Sequence, residues 1–155
     1  MTKTNAVRML EAAGIQFSAR EYDITDGELS GVAVAAKTGQ EPDRVFKTLV
    51  TEGKTTGLNV FVIPSNTELD LKKAALAAGD KYVEMIKSRD LETKTGYIHG
   101  GCSPIGMKKQ FPTFIDETAE MYNTIIVSGG RVGLQIELSP ADLAKTTAAI
   151  FYDLF

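Results

Sequence analysis

The chain has 155 residues, with one Cys, one His and no Trp. A lone His and a lone Cys cannot supply the three or four N/S ligands of a typical zinc site, they exclude an intrachain disulfide, and they leave His99 as the one imidazole for any triad. Formal charge is -3, from 17 basic and 20 acidic residues, which argues against wholesale electrostatic coating of nucleic acid and leaves open a local basic patch.

Thr4 can cap a helix from about Asn5 to Ala13, with Gly14 as its stop. Phe17 to Tyr22 reads as a short strand, and Asp26-Gly27 as a turn. Ser30 caps a small helix with Val32, Ala35 and Ala36 inward, ended by Gly39. Two apolar strands follow, near Val45–Val50 and Leu58–Ile63, joined through Gly53 and Gly57 as a hairpin, with Pro64 ending the second. Asp70 caps a helix to about Ala78, with Leu71, Ala74, Ala75 and Ala78 on one face, and Ser88 caps a shorter one to Lys94. Strands are expected at Phe111–Asp116, Thr124–Ser128 and, by alternation of Leu134, Ile136 and Leu138 with Gln135 and Glu137, at 134–138 as a half-buried strand. Ser139-Pro140-Ala141-Asp142 opens the last helix with an N-cap, a Pro at the first position and an acid in the first turn. Ile150 to Tyr152 adds a short strand.

Helices and strands are interspersed without the regular repeat of a doubly wound sheet. The expected class is α+β (mixed α/β), a single domain over residues 1–155 with a curled, largely antiparallel mixed sheet surrounded by helices. No stretch approaches the ~20 apolar residues of a membrane span. The first residues carry no signal-peptide core, and a lone Cys suits a reducing compartment. A cytoplasmic protein without membrane contact is expected.

Lys47 is the first residue out of place. Period two puts it on the face of Val45 and Leu49, while Phe46 and Val50 take the other face, so both faces look buried. Such a lysine snorkels from an edge strand, pairs, or lines a cleft. The run Gly100-Gly101-Cys102-Ser103-Pro104-Ile105-Gly106 and the loop Ser128-Gly129-Gly130-Arg131-Val132-Gly133 are either tight turns or places where backbone N–H groups approach an anion. Neither has the Gly-Lys-Ser/Thr ending of a P-loop. His99 and Cys102 invite a Cys-His nucleophile, but neighbours on one loop rarely converge on one atom, and no third orienting group is evident. Lys72-Lys73 and Lys108-Lys109 are basic pairs of the kind that usually lie on solvated surface. With Arg131 they matter only if the fold gathers them on one rim.

Together Val45-Phe46-Lys47-Thr48-Leu49, the Gly-Gly-x-Ser-Pro-x-Gly run at 100–106 and Ser128-Gly129-Gly130-Arg131-x-Gly133 resemble the signatures of the YbaK/EbsC-type aminoacyl-tRNA deacylases, in order and spacing, over essentially the whole chain. The likeness is greatest to the YbaK branch, the Cys-tRNA(Pro) deacylases. The resemblance implies a small domain with a curled mixed sheet around a cleft, and a cleft lysine needed for deacylation at Lys47. It implies substrate-binding positions at Tyr22, Phe46, Thr48, Gly100, Gly101, Ser103, Pro104, Gly106, Ser128, Gly129 and Gly130. Tip contacts to tRNA then fall to Lys72, Lys73, Lys108, Lys109 and Arg131. The implied substrate is the acceptor end of prolyl-tRNA mischarged with cysteine, with prolyl-tRNA synthetase as a transient partner and no cofactor or metal. The implied chemistry is attack by the substrate's own thiol, with backbone N–H groups of Gly100 and Gly101 facing the oxyanion. Ala- or Ser-charged tRNA, or binding without cleavage, are the alternatives.

Overall fold

The computed structural model describes residues 3–155; Met1 and Thr2, the start of the domain assigned to 1–155, lie outside the described residues. The helices are α1 (Asn5–Ala12), α2 (Gly31–Thr38), α3 (Leu71–Ala78), α4 (Ser88–Thr95) and α5 (Pro140–Thr147). The strands are β1 (Ser18–Glu21), β2 (Phe46–Gly53), β3 (Gly57–Pro64), β4 (Val83–Met85), β5 (Thr113–Asp116), β6 (Ile125–Ser128), β7 (Leu134–Leu138) and β8 (Ile150–Tyr152).

The capping chemistry accounts for most helix starts. Thr4, Ser30 and Ser139 each accept a backbone N–H three residues on, and Asp70 accepts those of Lys72 and Lys73. Helix α4 departs from expectation: Lys87 holds the cap position with no side-chain bond, and Ser88 is already helical. Two inward faces also differ. In α2 the buried residues are Val34 and Ala35, while Val32 is 46% exposed; in α3 they are Ala74 and Ala75, while Leu71 is 44% exposed. Helices of two turns meet the sheet along a narrow stripe, so the crossing angle decides which of several small residues is covered.

The strands form two sheets, in the orders β1-β7-β6 and β4-β2-β3-β5-β8. The small sheet is antiparallel throughout. In the larger one, β2 pairs antiparallel with β3 and β4, whereas β3–β5 and β5–β8 are parallel. A single parallel bridge, Val45 to Ile126, joins the sheets and makes the curl. The short β4, which has no clear apolar pattern, comes from pairing with the end of β2 alone.

The main core lies between the sheets and under α1 and α5. It takes Phe46 and Val50 from β2, Val60 and Val62 from β3, Ile125 and Val127 from β6, and Leu134, Ile136 and Leu138 from β7. The opposite face of β3 carries Phe61 and Ile63, which pack with Ala74, Ala75 and Phe114 beneath α3. Each such fully buried large side chain is worth roughly 1.5–3 kcal/mol of transfer free energy. A third small cluster, Ala35, Val45 and Ile126, sits where α2 covers the bridge. Strand β7 is therefore covered on both faces near its start: Gln135, read as outward from the alternation, is only 3% exposed. Among the described residues, no helix is long and apolar enough to cross a membrane.

Candidate functional site

The bridge that joins the sheets also opens the site. Beyond Val45 and Ile126 the two parallel strands do not continue as a ladder. Two residues further along each strand come Lys47 and Ser128, on the faces of their bridge residues. Strand β2 meets β4 only at Thr51–Gly53. Its first residues thus form a free edge, and a cavity of about 290 Å³ lies along it. Residues from both faces of β2 reach this cavity because it sits at an edge: Phe46, Lys47, Thr48 and Leu49 all line it. Ser128 and Gln135, directly opposed across β6 and β7, form the other wall. Tyr22, His99, Gly100 and Cys102 also line it.

Lys47 brings a cation, and no Asp or Glu lines the cavity. His99 is exposed at its mouth, whereas Cys102 is buried, and that burial pushes its thiol up to about 12. A thiol so placed stays neutral near pH 7. Among the described residues, no group of three His, Cys, Asp or Glu side chains could hold a metal ion.

The glycine-rich loops lie against each other. A Cβ on Gly101 would stand 2.8 Å from Val132 N and 2.9 Å from Arg131 Cα. Gly106, at φ +80°, lies under Tyr97, whose hydroxyl donates to Ile105 O at 2.6 Å; burial lifts that phenol to about 12. Ser103 is fully buried and its Oγ accepts from Ile105 N at 3.2 Å. Ser103, Pro104 and Gly106 thus lie inside the loop's packing and outside the cavity lining, as do Gly101, Gly129 and Gly130. Gly101 N–H is taken by Ile98 O at 3.0 Å, which corrects the expectation that it faces an oxyanion. Gly129 N–H donates to Leu134 O, and Gly130 N–H to Ser128 Oγ. Gly100 is the glycine of the first loop on the cavity wall.

The basic residues do not gather on one rim. Lys73 pairs with Asp153 at 3.0 Å, a contact that raises its pKa, and it also donates to Phe155 O. Lys72 and Lys109 are exposed, and Lys108 Nζ donates to Thr93 O at the end of α4. Arg131 reaches Glu21 at 3.2 Å, next to Tyr22 of the cavity wall.

Three features escaped sequence reading. Gly31 lets α2 approach the loop after β3 closely, since a Cβ there would meet Ser65 Cβ at 2.3 Å, and both residues line the cavity. Lys37 Nζ donates to Asp23 O, Asp26 Oδ1 and Glu28 O at 2.7–2.8 Å, tying down the segment between Tyr22 and α2. Gln135 was hidden because a two-residue alternation does not reveal a second layer above a sheet.

The aminoacyl-tRNA editing domain model matches residues 29–146. A protein from Enterococcus faecalis, described as a candidate Cys-tRNA(Pro)/Cys-tRNA(Cys) deacylase, EbsC, is 52% identical over 152 residues, covering 98% of this chain and 93% of that one. Among solved structures, a candidate trans-editing enzyme for prolyl-tRNA synthetase superposes with a TM-score of 0.85 at 24% identity, over 99% of this chain and 98% of the other. The hypothetical protein APE2540 does so with a TM-score of 0.88 at 22% identity, over 97% and 99%. At these identities the two structures speak to fold, and the expected curled mixed architecture is theirs as well.

Proposed function

Since the chain belongs to the aminoacyl-tRNA editing domain family, we propose that residues 1–155 act as one trans-acting deacylase domain that clears Cys-tRNA(Pro), and Cys-tRNA(Cys) with it, using the substrate's own thiol. The composition of the cavity carries this reading: one amine from Lys47, no carboxylate, and a single cysteine too buried to ionise. His99 also lines the cavity, but no Ser, Thr or Cys side chain of the wall is hydrogen-bonded to that imidazole, so the wall offers no nucleophile held against a base. It suits a substrate that brings one.

The substrate is an ester between the tRNA 3′-terminal ribose and cysteine. A free thiol ionises near pH ~8.5, and a neighbouring ammonium favours the thiolate. The thiol loses its proton to solvent, and its sulfur attacks the ester carbonyl. A C–S bond forms and the carbonyl π electrons move to oxygen. Collapse of that oxyanion restores the carbonyl and breaks the bond to the ribose oxygen, which takes a proton from water or from Lys47. A cyclic thiolactone leaves. Lys47 serves the developing negative charge, and donors at the wall, Gly100 and Ser128 among them, serve the oxyanion. The acceptor end lies between Phe46 and Thr48 of β2 on one side and Tyr22 and Ser128 at the small sheet on the other.

With a net charge of -3 and its basic pairs dispersed, the chain holds tRNA weakly by itself. Prolyl-tRNA synthetase, acting transiently, supplies the missing grip and the choice of tRNA.

The test is a deacylation panel with Cys-, Ser-, Ala- and Pro-charged tRNA, using wild type and Lys47→Ala. Cys-tRNA(Pro) should be cleared fastest, with Lys47→Ala reducing the rate by on the order of 10²–10³ while the fold survives. Equal clearance of Ser-tRNA would overturn thiol attack. Retention of all four esters in single turnover would overturn the enzyme reading.

A further inference from the structure

Two buried side-chain atoms among the described residues have no hydrogen-bond partner, Thr48 Oγ1 and Gln135 Oε1. Both residues line the same cavity, one on each wall. Buried polar groups are nearly always paired, because leaving one unpaired disfavours the folded state. Gln135 is 3% exposed, and it stands directly across from Ser128 on the face toward α2. An unfilled acceptor in that position is set up for a donor that arrives with the substrate.

We propose that Gln135 Oε1, assisted by Thr48 Oγ1, receives the α-amino group of the aminoacyl ester; this rests on the deacylase reading above. A carboxamide oxygen can only accept, and a threonine hydroxyl can accept as well. Around the reacting carbonyl, the ester oxygens offer acceptors alone. The α-amino group offers several N–H donors on one atom, enough for both residues. A neutral amide holds it without a carboxylate that would pair with Lys47 and remove the positive charge from the wall. Holding the amine at one point and the carbonyl at another leaves the third substituent of the α-carbon, the thiol-bearing arm, one direction to take. Gln135 is then a binding residue that also orients attack.

The experiment compares Cys-tRNA(Pro) with the same tRNA esterified by 3-mercaptopropionate, which keeps the thiol and lacks the amine. Wild type, Gln135→Met and Thr48→Val are assayed on both, with circular dichroism and melting as checks of folding. Wild type should lose roughly 10–100-fold in kcat/KM on the desamino ester, the cost of one charge-assisted hydrogen bond. Gln135→Met should lose about as much on Cys-tRNA(Pro) and little more when the amine is removed, because the two changes delete the same contact. Its melting temperature should not fall, since the variant buries no orphan acceptor. Equal ratios between the two esters in wild type and variant would overturn the assignment. If Gln135→Met does not fold, wild type and Thr48→Val decide alone: no discrimination by wild type overturns it. Failure of the deacylase reading looks different, because wild type would then release neither ester.

Discussion

The backbone nitrogen of Val132 stands 2.8 Å from the point at which a side chain on Gly101 would begin. Arg131 Cα and carbonyl carbon lie at 2.9 Å from the same point, so the two glycine loops touch backbone to backbone. Thr4 extends this stack by donating its hydroxyl to Gly129 O at 2.5 Å, which fastens the start of α1 beneath the second loop. Gly100 and Ser128 reach the cavity from the edges of this packed layer. Its thinness sets where the cavity wall is.

Gly101→Ala should therefore open the stack. The obstruction is backbone, which cannot swing aside, and overpacking of this kind typically costs ~1–3 kcal/mol. Gly57→Ala is the control: its φ is +75° with nothing near the missing Cβ, so it should cost about 1–2 kcal/mol from conformation alone. Urea melts should find both variants destabilised. Deacylation measured well below the melting temperature should fall only for Gly101→Ala. Full activity in that variant would mean that the loop contact does not shape the site.

Cys102 should be chemically quiet. Iodoacetamide should modify it in denatured protein and spare it in the folded state at neutral pH, and Cys102→Ala should keep most activity. Alkaline pH gives a second reading. The Cys102 thiol and the Tyr97 phenol both have folded values near 12, pushed up by burial from ordinary values of 9.0 and 10.0. The unfolded chain releases these protons first, so their contribution is fully present below pH ~9 and is lost progressively as pH rises toward ~12. Melting temperature should decline over that window, less steeply in Cys102→Ala. An unchanged slope would place the alkaline loss elsewhere.

Lys37 should act on substrate affinity more than on turnover. Its three short hydrogen bonds use all three ammonium donors, and they hold residues 23–28 between Tyr22 and Ser30, both on the cavity wall. Lys37→Met keeps the length of the side chain and removes the donors. KM for Cys-tRNA(Pro) should rise several-fold with kcat little changed, and proteolysis within 23–28 should quicken. Hydrogen bonding to Lys37 lowers the Asp26 carboxyl below its usual value. The Asp26 leg of the tie is accordingly complete above the ordinary aspartate range and is lost as pH falls through that lowered value, while the two legs to backbone carbonyls remain. A matched fall in kcat would show that the segment shapes the chemistry directly.

By itself the sequence determined most local structure and the identity of the family. Caps at Thr4, Ser30, Asp70 and Ser139, stops at Gly39 and Gly79, and the Gly53–Gly57 hairpin are decisions made within a few residues. The anomaly of Lys47 was equally legible, since alternation left it on a strand with two apolar faces. What tertiary structure alone decided follows from contacts between residues far apart in the chain. The Val45–Ile126 bridge ends after one pair, and that makes an edge of β2 and a cavity beside it. Gln135 shares its face of the small sheet with Ile126, which packs against Ala35 of α2, and it is buried where two-residue alternation indicates solvent. The glycine signatures divide: Gly100 and Ser128 reach the cavity, while Gly101, Ser103, Pro104 and Gly106 pack behind it. A motif records that small residues are needed, but whether the need is an open wall or a close approach depends on what lies across from each, and that neighbour is supplied by the fold.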